Sequence, residues 1–200
     1  MASNKSRKSL GLPHNGEYIY AIPLILFKIH PSFDEVIEKI VKENKKNHVV
    51  MVCYNQIEII IKERLEKRVS TEQMQQIHFK LPFKKSDYYA LLKTSDVFLE
   101  TFPFGGGNTV LHSMAAGTPV ISLKSNQLRG SFGTGFYNYI NEPQFIASSI
   151  DEYVKIAIKT ARDASIKKKF QNIIQLNKEK LFNNMSGSIE FYDWLKQKLL

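Results

Sequence analysis

The sequence predicts an α/β fold in which a parallel sheet is flanked by helices and followed by a helical C-terminal extension. Two observations predict this fold. Over residues 1–149, short apolar runs alternate with patterns of helical spacing, as in doubly wound sheets with helices on both faces. Over residues 150–200, the pattern is helical throughout. We therefore expect a Rossmann-like domain at 1–149, with the C-terminal helices of 150–200 packed on the same domain.

Five apolar runs have the length and composition of buried parallel strands, and Phe145–Ala147 is a candidate sixth. These runs are Tyr18–Leu26, His48–Tyr54, Ile77–Phe79, Val97–Glu100 and Pro119–Leu123. Between them, apolar residues recur at three- and four-residue spacing, which predicts amphipathic helices. The predicted helices are Phe33–Lys45, Ile57–Val69, Ser86–Lys93, Asn108–Ala116 and Arg129–Tyr139.

Three helices are predicted for the C-terminal part, at Asp151–Arg162, Ile166–Leu181 and Ser188–Leu200. Ser149 followed by Glu152 has the spacing of a capping box at the start of the first. We expect the apolar side chains of these helices to pack back over the sheet. They are Phe170, Ile173, Ile174, Leu181, Phe182, Phe191, Trp194 and Leu195.

The composition indicates a globular protein, with 43% hydrophobic and 12% aromatic residues. No apolar run approaches the roughly 20 residues that cross a bilayer, and the polar N-terminus has no apolar export segment. A cytoplasmic location without a membrane span is expected. The single cysteine, Cys53, excludes an intramolecular disulfide. Because it lies in an apolar run, we expect it to be buried and inert.

A net charge of +9 suggests an anionic partner: a nucleic acid, a membrane surface or a phosphorylated ligand. Most lysines, however, are spaced with glutamates along predicted helices, as solvated helix faces are. No nucleic-acid-binding motif accompanies the charge, so we expect no nucleic-acid partner.

The stretch from Asp96 to Leu123 reads strand, glycine-rich turn, helix, strand. Three adjacent glycines, Gly105–Gly107, remove side chains where a ligand could approach the backbone. Asn108 and Thr109 are then suitable cap residues for the following helix. Ligands of doubly wound sheets bind beyond the carboxyl ends of the strands, where helix N-termini present N–H groups to phosphates. The turn therefore predicts a phosphate site that a diphosphate would fit.

The run FPFGGGNTVLHSMAAGTPVISL (residues 102–123) resembles the nucleotide-sugar-binding half of bacterial glycosyltransferases related to the O-linked N-acetylglucosaminyltransferases. The resemblance extends upstream through residues 6–51 and LPFKKSDYYALLKTSDVFLETFP, and downstream to residue 200. It implies one half of a GT-B fold, the C-terminal half. It also implies an inverting transferase that moves a sugar from a UDP-sugar to a protein or glycan acceptor, with no cofactor.

The resemblance also implies ligand contacts. Lys28 aligns with a phosphate-binding lysine, and an ammonium at a strand's carboxyl end is suited to neutralise a phosphate. The turn would contribute Gly106, Gly107, Asn108 and Thr109 to the diphosphate through backbone N–H groups and a hydroxyl.

Base-side contacts are implied for Lys85 and Tyr88, with Phe83 as a wall residue whose backbone could meet the base. His112 stands where many relatives carry an acidic residue that binds the ribose hydroxyls. A ring nitrogen of histidine could still bond a hydroxyl there.

Two further positions depart from the family pattern: Ile25 replaces a glutamine, and Ser131 replaces a basic residue, leaving Arg129 as the nearest charge. Relatives have a facing first domain that supplies most acceptor groups. We therefore expect an acceptor domain that is either missing from this chain or supplied by a separate N-terminal subunit, and no catalytic residue can be named. With no Asp-x-Asp pair, we expect no metal site. The alternative is a catalytically inactive nucleotide-binding module.

Overall fold

The computed structural model describes residues 5–14, 16–52, 55–80 and 84–199. Within these residues, six strands form one parallel sheet in the order β3-β2-β1-β4-β5-β6. The strands are β1 (Tyr18–Ile22), β2 (Asn47–Val52), β3 (Ile77–Lys80), β4 (Val97–Leu99), β5 (Val120–Leu123) and β6 (Ile146–Ala147). The predicted α/β sheet is confirmed, including its candidate sixth strand. Cys53 and Phe83 lie outside the described residues.

Ten helices flank and extend this sheet in the described part of the chain. They are α1 (Asp34–Glu43), α2 (Asn55–Glu66), α3 (Thr71–Met74), α4 (Lys85–Thr94), α5 (Asn108–Ala115), α6 (Phe132–Tyr139), α7 (Ile150–Arg162), α8 (Ala164–Leu176), α9 (Lys178–Phe182) and α10 (Ser186–Leu199). None of them is long and apolar enough to cross a membrane.

Several predicted boundaries were wrong for identifiable reasons. The first strand ends at Ile22 rather than at Leu26, because Pro23 has no N–H for a ladder hydrogen bond and the chain then forms a 3₁₀ turn at Leu26–Lys28. A 3₁₀ turn at Leu128–Gly130 delays α6 to Phe132. The predicted helix Ile166–Leu181 is interrupted at Asn177, and the short helix α3 was not predicted.

The sheet is buried on both faces, as expected for parallel strands between helices. Successive residues of β1 point to opposite sides: Ile19 joins a small cluster with Leu91 of α4, while Tyr20 joins the main core with Ile37 of α1. The apolar spacing of α1 predicted its buried face correctly. This packing leaves the loops at the carboxyl ends of the strands to form a site.

Helices α7 and α8 pack onto this core. Ser149 caps α7 by accepting a hydrogen bond from the N–H of Glu152, at 3.2 Å. The carboxylate of Glu152 accepts from the N–H of Ser148 instead of Ser149, so the predicted capping box forms only in part. The predicted burial of Phe170, Ile173 and Ile174 in α8 is confirmed. Phe182, by contrast, is 40% exposed.

Helix α10 has no buried side chain. Phe191 and Trp194 are 60% and 51% exposed and stack on each other, with ring centroids 5.9 Å apart. The prediction that Phe191, Trp194 and Leu195 pack over the sheet was therefore wrong for the described residues. Apolar spacing identifies a helix face that needs covering, but it does not identify what covers that face.

Candidate functional site

The glycine turn follows β4, at the point where the order of the strands in the sheet reverses. β1 pairs with β2 on one side and with β4 on the other, so the chain builds the sheet outward from β1 in both directions. The segments that leave these two strands meet at a bridge between Ile29 and Pro103. In doubly wound sheets, a crevice for ligands opens at such a switch point.

Lys28 reaches the turn from the segment after β1. Its Nζ donates to the carbonyl oxygen of Gly105 at 3.0 Å and lies 4.1 Å from the centroid of the Phe104 ring. Partial burial lowers the pKa of Lys28, and the nearby Glu100 carboxylate acts in the opposite direction. An ammonium has three N–H donors, so donors remain for an anion after the bond to Gly105.

The three glycines of the turn have different surroundings. A Cβ at Gly105 would overlap the carboxylate of Glu100, and one at Gly106 would lie 2.9 Å from Thr109 Oγ1 and 3.0 Å from Leu24 Cδ2. A Cβ at Gly107 would meet nothing within 4 Å. Two of the three glycines therefore make room for the protein's own atoms, and Gly107 faces open space.

Helix α5 begins with three N–H groups for which no acceptor exists among the described residues: those of Gly107, Asn108 and Thr109. The N–H groups before them are used, since Gly105 donates to the Arg129 carbonyl at 2.9 Å and Gly106 to Glu100. Free N–H groups and the positive end of the helix dipole make this terminus suitable for an anion.

The prediction that Asn108 and Thr109 cap this helix was wrong. The N-cap residue is Gly107, no side chain caps the helix, and Asn108 and Thr109 are already its first two residues. Both side chains are thereby left without a capping role.

Aromatic side chains from α4 and α5 form the neighbouring wall. Tyr88 Oη lies 3.3 Å from His112 Nδ1, and the ring centroid of Tyr89 lies 5.5 Å from that of His112. Burial raises the pKa of Tyr88, so its hydroxyl stays protonated at neutral pH. Lys85 is exposed at the first position of α4 and shares a helix face with Tyr88.

Of the two further positions that depart from the family pattern, Ile25 is exposed and Ser131 is half-buried. Ile25 is 47% exposed in the segment that leads to Lys28. The side chain of Arg129 donates to Gln127 at 3.0 Å, and the hydroxyl of Ser131 donates to the carbonyls of Ser125 and Gln127. Among the described residues, no group of three or more His, Cys, Asp or Glu is placed to hold a metal ion.

Sequence reasoning missed Glu100. Its side chain is 2% exposed and accepts hydrogen bonds from the N–H of Gly106 at 3.1 Å and the hydroxyl of Ser122 at 2.6 Å. The N–H of Gly133 is a further donor, and burial raises the pKa of Glu100 to about 7. The available signal was an acidic residue at the end of an apolar run, directly before the turn.

The fold is that of a GT-B glycosyltransferase domain. A mutant O-GlcNAc transferase of Thermobaculum terrenum superposes with a TM-score of 0.80 at 19% identity, over 92% of this chain and 36% of that one. Anabaena HepE, in complex with UDP and glucose, superposes with a TM-score of 0.66 at 13% identity, over 96% of this chain and 51% of that one. At such identities the likeness concerns the fold alone.

The chain belongs to glycosyl transferase family 41, whose sequence profile matches residues 3–188. Its relatives include proteins described as probable UDP-N-acetylglucosamine–peptide N-acetylglucosaminyltransferase SPINDLY. Those of Petunia hybrida and Arabidopsis thaliana are 27% and 24% identical over 79 residues, which is 40% of this chain and 8% and 9% of theirs. The resemblance seen in the sequence is thus confirmed, and the chain spans about a third of the Thermobaculum structure.

Proposed function

We propose that this chain is the donor-binding domain of an inverting glycosyltransferase and binds a UDP-sugar at the glycine turn. The observation that carries the proposal is the group of three free N–H groups at Gly107–Thr109, beside the ammonium of Lys28. A diphosphate carries its negative charge on several oxygens, so an array of fixed donors with one cation matches its chemistry.

The same groups would also assist the chemistry. When an acceptor hydroxyl attacks the anomeric carbon, the bond from that carbon to the diphosphate oxygen breaks, and negative charge develops on the departing UDP. Donors that are fixed before the reaction stabilise that charge without reorganising. Lys28 and the start of α5 supply this stabilisation in the proposal, which requires no metal.

The nucleoside would lie along α4 and α5. Tyr88 and His112 offer aromatic surface and polar atoms at one end of the turn, and Lys85 lies one helical turn before Tyr88. In this arrangement, a ring nitrogen of His112 bonds a ribose hydroxyl in place of the carboxylate that many relatives have.

The acceptor and the base that deprotonates it are assigned to a facing domain or subunit. Two observations support this assignment: the related proteins are much longer than this chain, and α10 exposes an aromatic face. The curated relatives are named for a peptide acceptor, so a protein is our preferred acceptor class, with a glycan as the second.

Thermal unfolding with and without UDP tests the proposal. At 100 times its dissociation constant, a ligand that binds only the folded state adds roughly 2.7 kcal/mol of stability. Lys28→Met keeps the apolar stem but removes the charge, and it should weaken UDP binding about tenfold or more. The matched control is Lys178→Met, at an exposed lysine on the C-terminal helices. Absence of any shift with millimolar UDP, UDP-glucose and UDP-N-acetylglucosamine would contradict the proposal.

The second candidate is a nucleotide-binding module without turnover, and His112 favours it. Its Nδ1 already contacts Tyr88, and histidine is a different ribose partner from a carboxylate. Release of free UDP from a UDP-sugar, with the facing domain present, separates the two candidates. Binding without UDP release supports the module, and acceptor-dependent release supports the transferase.

A further inference from the structure

The buried carboxylate of Glu100 joins three segments of the chain. One oxygen accepts from the N–H of Gly106 in the turn, and the other accepts from the hydroxyl of Ser122 in β5. The N–H of Gly133, near the start of α6, is the third donor. With 2% of its surface exposed, Glu100 cannot touch a ligand. It acts on the site through the groups that it holds and through its charge, which opposes the burial that lowers the pKa of Lys28.

Two glycines fit around this carboxylate. A Cβ at either Gly105 or Gly133 would overlap a Glu100 oxygen, and neither residue has a positive φ. Their lack of a side chain is therefore required by space rather than by backbone conformation. The hydrogen-bond donors and the space left beside the two glycines together form a socket that the Glu100 carboxylate occupies.

We infer that Glu100 is a positioning residue that fixes the glycine turn, so that the free N–H groups of Gly107–Thr109 stand ready for a diphosphate. The bond to Gly106 fixes the residue immediately before those three groups. The bonds to Ser122 and Gly133 anchor the same carboxylate to the sheet and to α6. The role of the turn in binding a diphosphate rests on the proposed function. The role of Glu100 in holding the turn is independent of it.

The surroundings of Glu100 shift the titration of its carboxyl group to near neutral pH. Burial raises its pKa to about 7, while the three donors and the charge of Lys28 act against that rise. Among the described residues, the other titratable groups that face it are the phenols of Tyr137 and Tyr153. Burial raises the pKa of both phenols, so they stay neutral when Glu100 titrates.

Amide exchange measured by NMR on the ligand-free protein tests the inference directly. In Glu100→Ala, the amides of Gly106 and Gly133 lose their acceptor, and both should exchange about tenfold faster or more. Glu100→Gln keeps one carbonyl oxygen and should restore the protection of Gly106. Glu190→Ala, at an exposed position on α10, is the matched control and should leave both amides unchanged.

A spectroscopic signature separates this role from general stabilisation. In the wild type, the amide proton shifts of Gly106 and Gly133 should move together with pH around neutrality, because both N–H groups bond to one titrating carboxyl. In Glu100→Gln, both shifts should be flat over that range. If Glu100→Ala does not fold, this titration and the glutamine variant still decide the question.

UDP affinity supplies the final comparison. Glu100→Ala should weaken UDP binding about fivefold or more, with substantial recovery in Glu100→Gln. Unchanged protection of Gly106 and Gly133 in a folded Glu100→Ala would overturn the inference, as would wild-type UDP affinity in a variant with loosened amides. If the wild type binds no UDP but its amides respond as described, the positioning stands and the proposed function fails.

Discussion

The glycines of the turn illustrate how neighbouring identical residues serve different purposes. Gly105 leaves room for a carboxylate, Gly106 leaves room for Thr109 and Leu24, and Gly107 borders open space. A ligand can therefore approach the backbone most closely at Gly107, which also provides the first of the free N–H groups.

Alanine at Gly105 should lower stability more than alanine at Gly107, whereas alanine at Gly107 should weaken UDP binding more. Gly105→Ala forces the buried Glu100 carboxylate out of place and should lower the free energy of unfolding by about 2 kcal/mol. Gly107→Ala meets no neighbour, so its cost should stay under about 1 kcal/mol, mostly from a poorer N-cap. Gly107→Ala should weaken UDP binding more than Gly105→Ala does. Urea unfolding measures the stability of both variants and UDP titration measures their affinity. Equal losses of stability in the two variants would contradict the prediction.

The sequence named the exposed residues of the candidate site, whose ligand contacts stay predictions, and it missed the buried Glu100. The glycine turn, Lys28, Tyr88 and His112 were predicted, and the structure brings Lys28 to the turn and Tyr88 to His112. Glu100 was not predicted, because an acidic residue that ends an apolar run looks like the exposed end of a strand. Its donors come from residues 106, 122 and 133, which only the folded chain brings together.

At the scale of elements, β2 and β3 each place a histidine in a shared half-buried position. His48 Nδ1 lies 3.0 Å from His78 Nε2. Burial, followed by the charges of His48 and Lys80, lowers the pKa of His78 to about 4. Burial also lowers the pKa of His48, with Glu17 acting in the opposite direction. Folded His78 therefore remains neutral at mildly acidic pH.

This pair predicts a loss of stability in acid. The unfolded state binds a proton at the ordinary histidine pKa of about 6.5, whereas folded His78 binds one only near pH 4. Between these values, the unfolded state holds more protons at this histidine, so the contribution of His78 to stability falls as the pH drops and is constant above the window. Urea unfolding at several pH values should show this fall in the difference between the wild type and His78→Gln. His14→Gln, at an exposed histidine, should behave like the wild type.

Helices α8 and α10 look similar in sequence but differ in what covers them. Phe170 of α8 is fully buried against Tyr137 and Phe145, whereas no side chain of α10 is fully buried. Phe170→Ala should cost about 3–5 kcal/mol. Trp194→Ala should change the stability of this chain by less than about 0.5 kcal/mol. Thermal unfolding of the two variants compares them, and a large loss in Trp194→Ala would mean that α10 is covered in solution.

For the whole molecule, alternation of apolar runs and helical patterns was enough to predict the fold. The periods of strands and helices are local properties of the chain, and a parallel sheet requires the order in which they occur. The same patterns did not predict the exposed face of α10, because they record which residues avoid water and not the partner that shields them. Among the described residues, no side chain of α10 is buried.

The socket around Glu100 has a consequence for the kinetics of ligand capture. The turn is tied to β5, α6 and Lys28 by bonds within the protein, so it needs no ordering when a ligand arrives. Encounter should therefore lead directly to the bound state, in a single phase whose rate rises linearly with UDP concentration in stopped-flow measurements. Loosening the socket would add a slow rearrangement, visible as a rate that levels off at high UDP.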